Sequence, residues 1–271
     1  MALQLDSKRV LELLRGPYAR TIRDLVGSYT TPFFWTVEGP HGTPTIPGGG
    51  TAFFVDTGQT KFGVTADHVI VGLERARSRG RCMCQLLNLQ FDPLERIIDR
   101  HRDIDIATFE LRPKELTQVG DNKQFMTLWP PRPPEIGKGL VLFGYPGKER
   151  KQRGSRAWEF GIYQAGLIAS EVSPTGIRVL IERDRLVDTL GSGLPEIGYP
   201  VGGMSGGPAM AMFEGPGDLI TYRLAGVIYE KDENTDRFWL RGADVIRQDG
   251  TLDRSLWKWS KYSETPGDGR T

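Results

Sequence analysis

The stretch Val201-Gly202-Gly203-Met204-Ser205-Gly206-Gly207-Pro208 sets a single serine among glycines. Such a frame lets the backbone turn tightly and bring amide N–H groups close to a ligand. A serine hydroxyl is a weak nucleophile on its own. It needs a base to take its proton, a group to orient that base, and N–H donors to hold an oxyanion on the substrate. His68 is the candidate base. It lies in Phe62-Gly63-Val64-Thr65-Ala66-Asp67-His68-Val69, where an apolar strand ends beside a short helical turn and one ring nitrogen can face a cleft. His41, in a glycine loop, and His101, in the charged run Asp99-Arg100-His101-Arg102, read as structural or surface residues. Asp105 is the candidate orienting acid, since it directly precedes the apolar strand Ile106-Ala107-Thr108-Phe109 and can be partly buried there while accepting from an imidazole N–H. Asp103 and Asp67 are its rivals and read as loop or surface carboxylates.

These residues must be held by short strands. The chain has 271 residues with 34 Gly and 18 Pro, a texture of many turns that favours an all-β fold. Ser7 is the candidate cap of a helix through Val10, Leu11, Leu13 and Leu14. Gly16-Pro17 interrupts it before a second helical piece with Ile22, Leu25 and Val26, so residues 1–30 read as an amphipathic helical extension. Residues 31–112 carry strand patterns at Pro32 to Glu38, Thr51 to Asp56, Lys61 to Thr65, Arg81 to Leu89 and Ile104 to Leu111, with a glycine and proline loop from Gly39 to Gly49. That suffices for a small antiparallel barrel. Residues 113–137, including the stiff Trp129-Pro130-Pro131-Arg132-Pro133-Pro134, read as a spacer. Residues 138–262 offer strands enough for a second barrel, followed by a helical C-terminus over Gly242 to Arg247 and Asp253 to Tyr262, and 263–271 as a flexible tail.

Three motifs together, Thr65-Ala66-Asp67-His68, Asp105-Ile106-Ala107 and Gly203-Met204-Ser205-Gly206-Gly207-Pro208, resemble those of trypsin-like (chymotrypsin-fold) serine peptidases, in the family's His, Asp, Ser order. His68 and Asp105 are 37 residues apart, and Ser205 follows Asp105 by 100. Gly144-Tyr145-Pro146 resembles the start of the second barrel in bacterial members, and Leu224-Ala225-Gly226-Val227-Ile228 the strand that lines the cleft. The likeness covers about Phe33 to Ile246.

It implies two six-stranded antiparallel barrels with the site between them. It also implies an endopeptidase in which Ser205 attacks, His68 moves the proton, Asp105 orients His68, and the N–H groups of Gly203 and Ser205 form the oxyanion hole. Tyr199, Tyr229, Glu230 and Lys231 would border the specificity pocket, with a polypeptide as substrate and no metal or organic cofactor. The alternative is a protease-like module that holds a peptide without cutting it. A Gly-x-Ser-x-Gly esterase elbow is matched formally by Gly203 to Gly207, but its histidine should follow the serine, and none follows His101. Two departures stand out: Met204 occupies the place where secreted members carry an aspartate that pairs with a new N-terminus, and Val69 the place of a bridging cysteine.

Lys+Arg and Asp+Glu nearly cancel, to a formal charge of +1, so nucleic acid and anionic membrane are not expected partners. The run Lys148 to Arg153 lacks interleaved aromatics and reads as a solvated loop. Only Cys82 and Cys84 occur, and no bridge between them is expected, in line with a reducing compartment. The N-terminal residues lack the apolar run of a secretory signal, and no stretch approaches a membrane span, so a cytoplasmic location is expected. The helical extension is a possible contact for a regulatory partner.

Overall fold

The computed structural model describes residues 3–16, 18–39, 42–154, 157–174, 176–181, 196, 198–232 and 237–257. His41, the tail 263–271 and most of the segment leading to the serine loop lie outside them. The chain opens with β1 (Leu3–Gln4), α1 (Ser7–Arg15) and α2 (Tyr18–Tyr29). The first half then holds β2 (Thr30–Glu38), β3 (Pro44–Asp56), β4 (Lys61–Thr65), α3 (Asp67–Ser78), β5 (Cys82–Leu86), β6 (Leu89–Gln90), β7 (Ile97–His101) and β8 (Ile106–Glu110). After α4 (Pro113–Val119) come β9 (Gly139–Gly144), β10 (Arg150–Gln152), β11 (Trp158–Phe160), β12 (Tyr163–Ser173), β13 (Gly176–Leu180), β14 (Pro208–Glu214), β15 (Ile220–Asp232) and β16 (Arg237–Gly242).

The second half closes. Strands run β14-β15-β16-β13-β12-β9, and β9 pairs back onto β14 through Ala209↔Leu142, Met210↔Val141 and Ala211↔Leu140, giving a six-stranded antiparallel barrel. The first half does not close by backbone pairing: its order is β6-β5-β2-β3-β4-β8-β7, an open seven-stranded sheet instead of the expected six-stranded barrel. β6, one edge of this sheet, is only two residues long. Phe91, just past β6, meets Phe109 of β8 with ring centroids 5.4 Å apart.

The N-terminal helices are part of the core. Val10, Leu14, Ile22 and Val26 are buried in one cluster with Phe53 and Val64 of the first half and Val141 and Met210 of the second. A fully buried side chain of this kind contributes about 1.5–3 kcal/mol. α1 lies so close to β9 that a Cβ on Gly139 would stand 2.4 Å from Val10 Cγ2. The apolar faces of both helices are thus covered by the chain itself. The cap of α1 is Asp6, one residue before the expected Ser7, and its carboxylate accepts from Arg9 N–H at 2.8 Å.

Other boundaries shift for reasons of pairing. The expected glycine and proline loop is largely strand, because β3 extends along β2 in the register Trp35↔Gly48, and tertiary pairing outweighs turn propensity. The expected spacer contains α4, and Met126 within it forms a parallel bridge with Val55. Where a helical C-terminus is expected, the described residues form 3-10 turns at Ala243–Val245 and Arg254–Trp257, separated by an Ile246↔Leu252 bridge, and 258–262 lie outside the described residues. Cys82 and Cys84 are free thiols, and burial pushes the Cys84 thiol well up. Among the described residues no helix is long and apolar enough to cross a membrane.

Lys123 fastens the segment after α4 to the α2–β2 junction by donating to the carbonyl of Gly27 at 2.7 Å and to that of Thr30. Burial lowers its pKa from 10.5 to about 8. Between these values the unfolded chain holds a proton that the folded chain has released, so Lys123 makes stability rise with pH there, by at most about 1.4 kcal/mol per pH unit. Below about pH 8 both states are protonated and the dependence vanishes. Urea unfolding from pH 7 to 10 should show the stability of wild type rising relative to Lys123→Met only above about pH 8; parallel profiles would contradict this.

Candidate active site

The site begins with strand register. β4 and β8 pair as Thr65↔Ala107, which brings Asp105, just ahead of β8, to the start of α3. Ala66 is the N-cap of α3 and offers no side-chain acceptor, so the first-turn N–H groups need partners from elsewhere. Asp105 supplies one. Its Oδ1 accepts from the His68 backbone N–H at 2.8 Å, while its Oδ2 lies 2.7 Å from His68 Nδ1. One carboxylate therefore fixes both the main chain and the ring of His68, in charge-assisted bonds of about 1.5–3 kcal/mol each. Asp105 adopts φ +56°, a left-handed conformation that aspartate tolerates better than most residues, and its N–H donates to the His101 carbonyl at 2.8 Å.

The rivals fall elsewhere. Asp67 is not the surface carboxylate expected: it is 2% exposed, and its Oδ1 accepts from Arg100 Nε at 2.5 Å. Arg100 also pairs with Glu74, tying α3 to β7. His68 begins a helix of three turns rather than a short turn. Asp103 is exposed in the turn after β7, where His101 Nδ1 accepts from Ile104 N–H at 3.3 Å.

Ser205 arrives from the barrel side on the loop before β14. Thr51 of β3 seats this loop. Its N–H donates to the Ser205 carbonyl at 2.8 Å, its hydroxyl donates to the Gly203 carbonyl at 2.8 Å, and the same hydroxyl accepts from Tyr145 N–H at 3.0 Å. Gly206 has φ +87°, and a Cβ there would sit 2.2 Å from the Thr51 carbonyl oxygen, so only glycine fits. Met204 is 1% exposed and packs into the barrel core, holding the residue before the serine by apolar burial. Among the described residues, the N–H groups of Gly203 and Ser205 donate to no acceptor.

The Ser205 hydroxyl donates to the Tyr229 carbonyl at 3.3 Å and makes no hydrogen bond with His68. Tyr229 links the two, since it also borders the cleft of about 510 Å³ that holds His68 and Asp105. Beyond Ile228 no described strand pairs with β15 on the side of the serine loop. Of the four residues expected around a specificity pocket, Tyr199 and Lys231 meet, with Lys231 Nζ donating to the Tyr199 carbonyl at 3.1 Å. The Tyr199 hydroxyl bonds to Glu149, and burial pushes its pKa up, with Glu149 adding to the rise. Glu230 is exposed. Among the described residues no group of three or more His, Cys, Asp or Glu could hold a metal ion.

Geometry adds Thr51 to the residues that position the candidate site. A threonine in an apolar strand carries no signal of that role until the two halves are docked. A second pocket, of about 180 Å³, lies beside the serine loop between Gly49, Gly50, Phe160 and Gly203. No protein-family model and no curated protein matches the chain.

Thr51→Val keeps shape but leaves the Gly203 carbonyl and the Tyr145 N–H without their partner. Denaturant unfolding should show a loss of about 1–3 kcal/mol, largely restored by Thr51→Ser. Equal stability of Thr51→Val and wild type would show that the seam does not depend on this hydroxyl.

Proposed function

We propose that the chain is a serine endopeptidase of the trypsin-like, chymotrypsin-fold type. The observation that carries this reading is the double hold of Asp105 on His68, on an element that abuts the seat of Ser205. The closed barrel and the three sequence motifs in family order support it further.

In this mechanism a polypeptide lies along the edge of β15 from Tyr229 towards Lys231. Ser205 Oγ leaves the Tyr229 carbonyl and turns to His68 Nε2. As Oγ attacks the scissile carbonyl carbon, Nε2 takes its proton, and Asp105 stabilises the imidazolium through Nδ1–H. The carbonyl oxygen becomes an oxyanion held by the N–H groups of Gly203 and Ser205, each such donor contributing on the order of 3 kcal/mol. The C–N bond then breaks, and His68 returns the proton to the leaving amine. Water, activated by His68, attacks the acyl-enzyme, releases the acid and restores Ser205.

One observation favours the second reading, a peptide-binding module with a protease-like cleft: the Ser205 hydroxyl rests on Tyr229 rather than on His68. A peptide-library digest read by mass spectrometry separates the two. Wild type should cleave and Ser205→Ala should not. Asp105→Asn should lower kcat by about ten-thousand-fold, the loss that the same change causes in a triad of this type. Binding of library peptides without cleavage would favour the module, and near-normal turnover by Asp105→Asn would remove Asp105 from the mechanism.

A further inference from the structure

The cleft beside His68 is bordered by three arginines from three separate elements: Arg75 on α3, Arg102 in the turn after β7, and Arg241 on β16. Its two carboxylates are already engaged, Asp67 with Arg100 and Asp105 with His68. Arg75 and Arg102 are exposed and have no ion pair among the described residues. Arg241 stacks on Tyr229, its guanidinium carbon 3.9 Å from the ring centroid. Asp103 and Glu230 lie close enough to act on Arg241 but do not border the cleft. In a chain of near-zero net charge, Arg75 and Arg102 thus bring two cations without an ion pair among the described residues to the cleft that also contains the candidate base. The pocket on the other side of the serine loop is lined mainly by glycine, proline and aromatic residues, with Arg150 its only charged one.

We propose that this cleft selects polypeptides with an acidic side chain on the acyl side of the scissile bond. The choice of side follows from Tyr229, which touches both the Ser205 hydroxyl and the cleft. In the peptidase reading the acyl portion leaves Ser205 past Tyr229, the residue that borders the cleft together with the arginines. The planar guanidinium fork suits a carboxylate, and partial enclosure strengthens the attraction relative to open water. Selection arises through binding, so it acts whether or not the bond is then cut. The inference rests on the peptidase reading only for the direction in which the chain lies.

The test uses matched peptides that differ by Glu or Gln at successive acyl-side positions, in two arms. In the cleavage arm, wild type should give a Glu/Gln ratio of kcat/KM of about five or more at one position. The ratio should fall about two- to fivefold in each of Arg75→Gln and Arg102→Gln, and invert in favour of Lys over Glu in Arg102→Glu. It should also fall towards one at about 0.5 M salt, where screening shortens the reach of the charges. In the binding arm, full-length Ser205→Ala should bind the fluorescent Glu peptide more tightly than the Gln peptide by a similar factor. Equal affinity for the two peptides, or no binding of either, overturns the proposal. Cleavage with a ratio near one that the arginine variants do not change overturns it while leaving the peptidase reading intact. Acid-selective binding without cleavage supports it while counting against that reading.

Discussion

The two halves of the molecule meet at Thr51, and the candidate site exists only because they do. His68 and Asp105 belong to an open sheet, and Ser205 to a closed barrel. One residue on β3 spans the seam, with its amide on the Ser205 carbonyl and its hydroxyl on the Gly203 carbonyl. Among the described residues the N–H groups of Gly203 and Ser205 have no acceptor, so the same backbone is fixed by its carbonyls and not by these amides. A loop held in this way has little freedom to collapse onto its own donors. The shared core beneath it, in which α1 and α2 pack with strands of both halves, makes the seam a buried interior and not a hinge.

Asp105 holds the main chain and the ring of His68 with its two oxygens. One satisfies the orphan N–H at the start of α3, and the other meets the imidazole. The carboxylate therefore cannot drift from the ring without breaking a helix contact. Its left-handed backbone is tolerated because β8 and the His101 carbonyl fix it from both sides. On the opposite wall, burial of Met204 anchors the serine loop by apolar packing in the barrel core.

The turn around Ser205 and the pairing of His68 with Asp105 were legible in the sequence because residue type and local pattern coincide there: glycines around a serine, and a histidine and an acid at strand ends. Strands such as Lys61–Thr65 were legible for the same reason, since alternation and flanking turns are local. Closure was not, because it depends on whether distant edges such as β9 and β14 pair, and strand counting is blind to that. Thr51 escaped notice since its role is defined only by what docks on it. The basic cleft was hidden for a related reason: Arg75, Arg102 and Arg241 are far apart in the chain, and overall charge balance conceals their meeting. The Gly39 to Gly49 stretch misled in the other direction, because its composition says turn while its pairing with β2 says strand.

If His68 and Ser205 form one reactive unit, Ser205 is open to covalent labelling that depends on His68. Treated with a fluorophosphonate, the folded wild-type protein should gain a single adduct that tandem mass spectrometry maps to Ser205, and His68→Ala, equally folded by circular dichroism, should gain almost none. A folded wild type left unmodified at Ser205, or modified no faster than His68→Ala, would contradict the account.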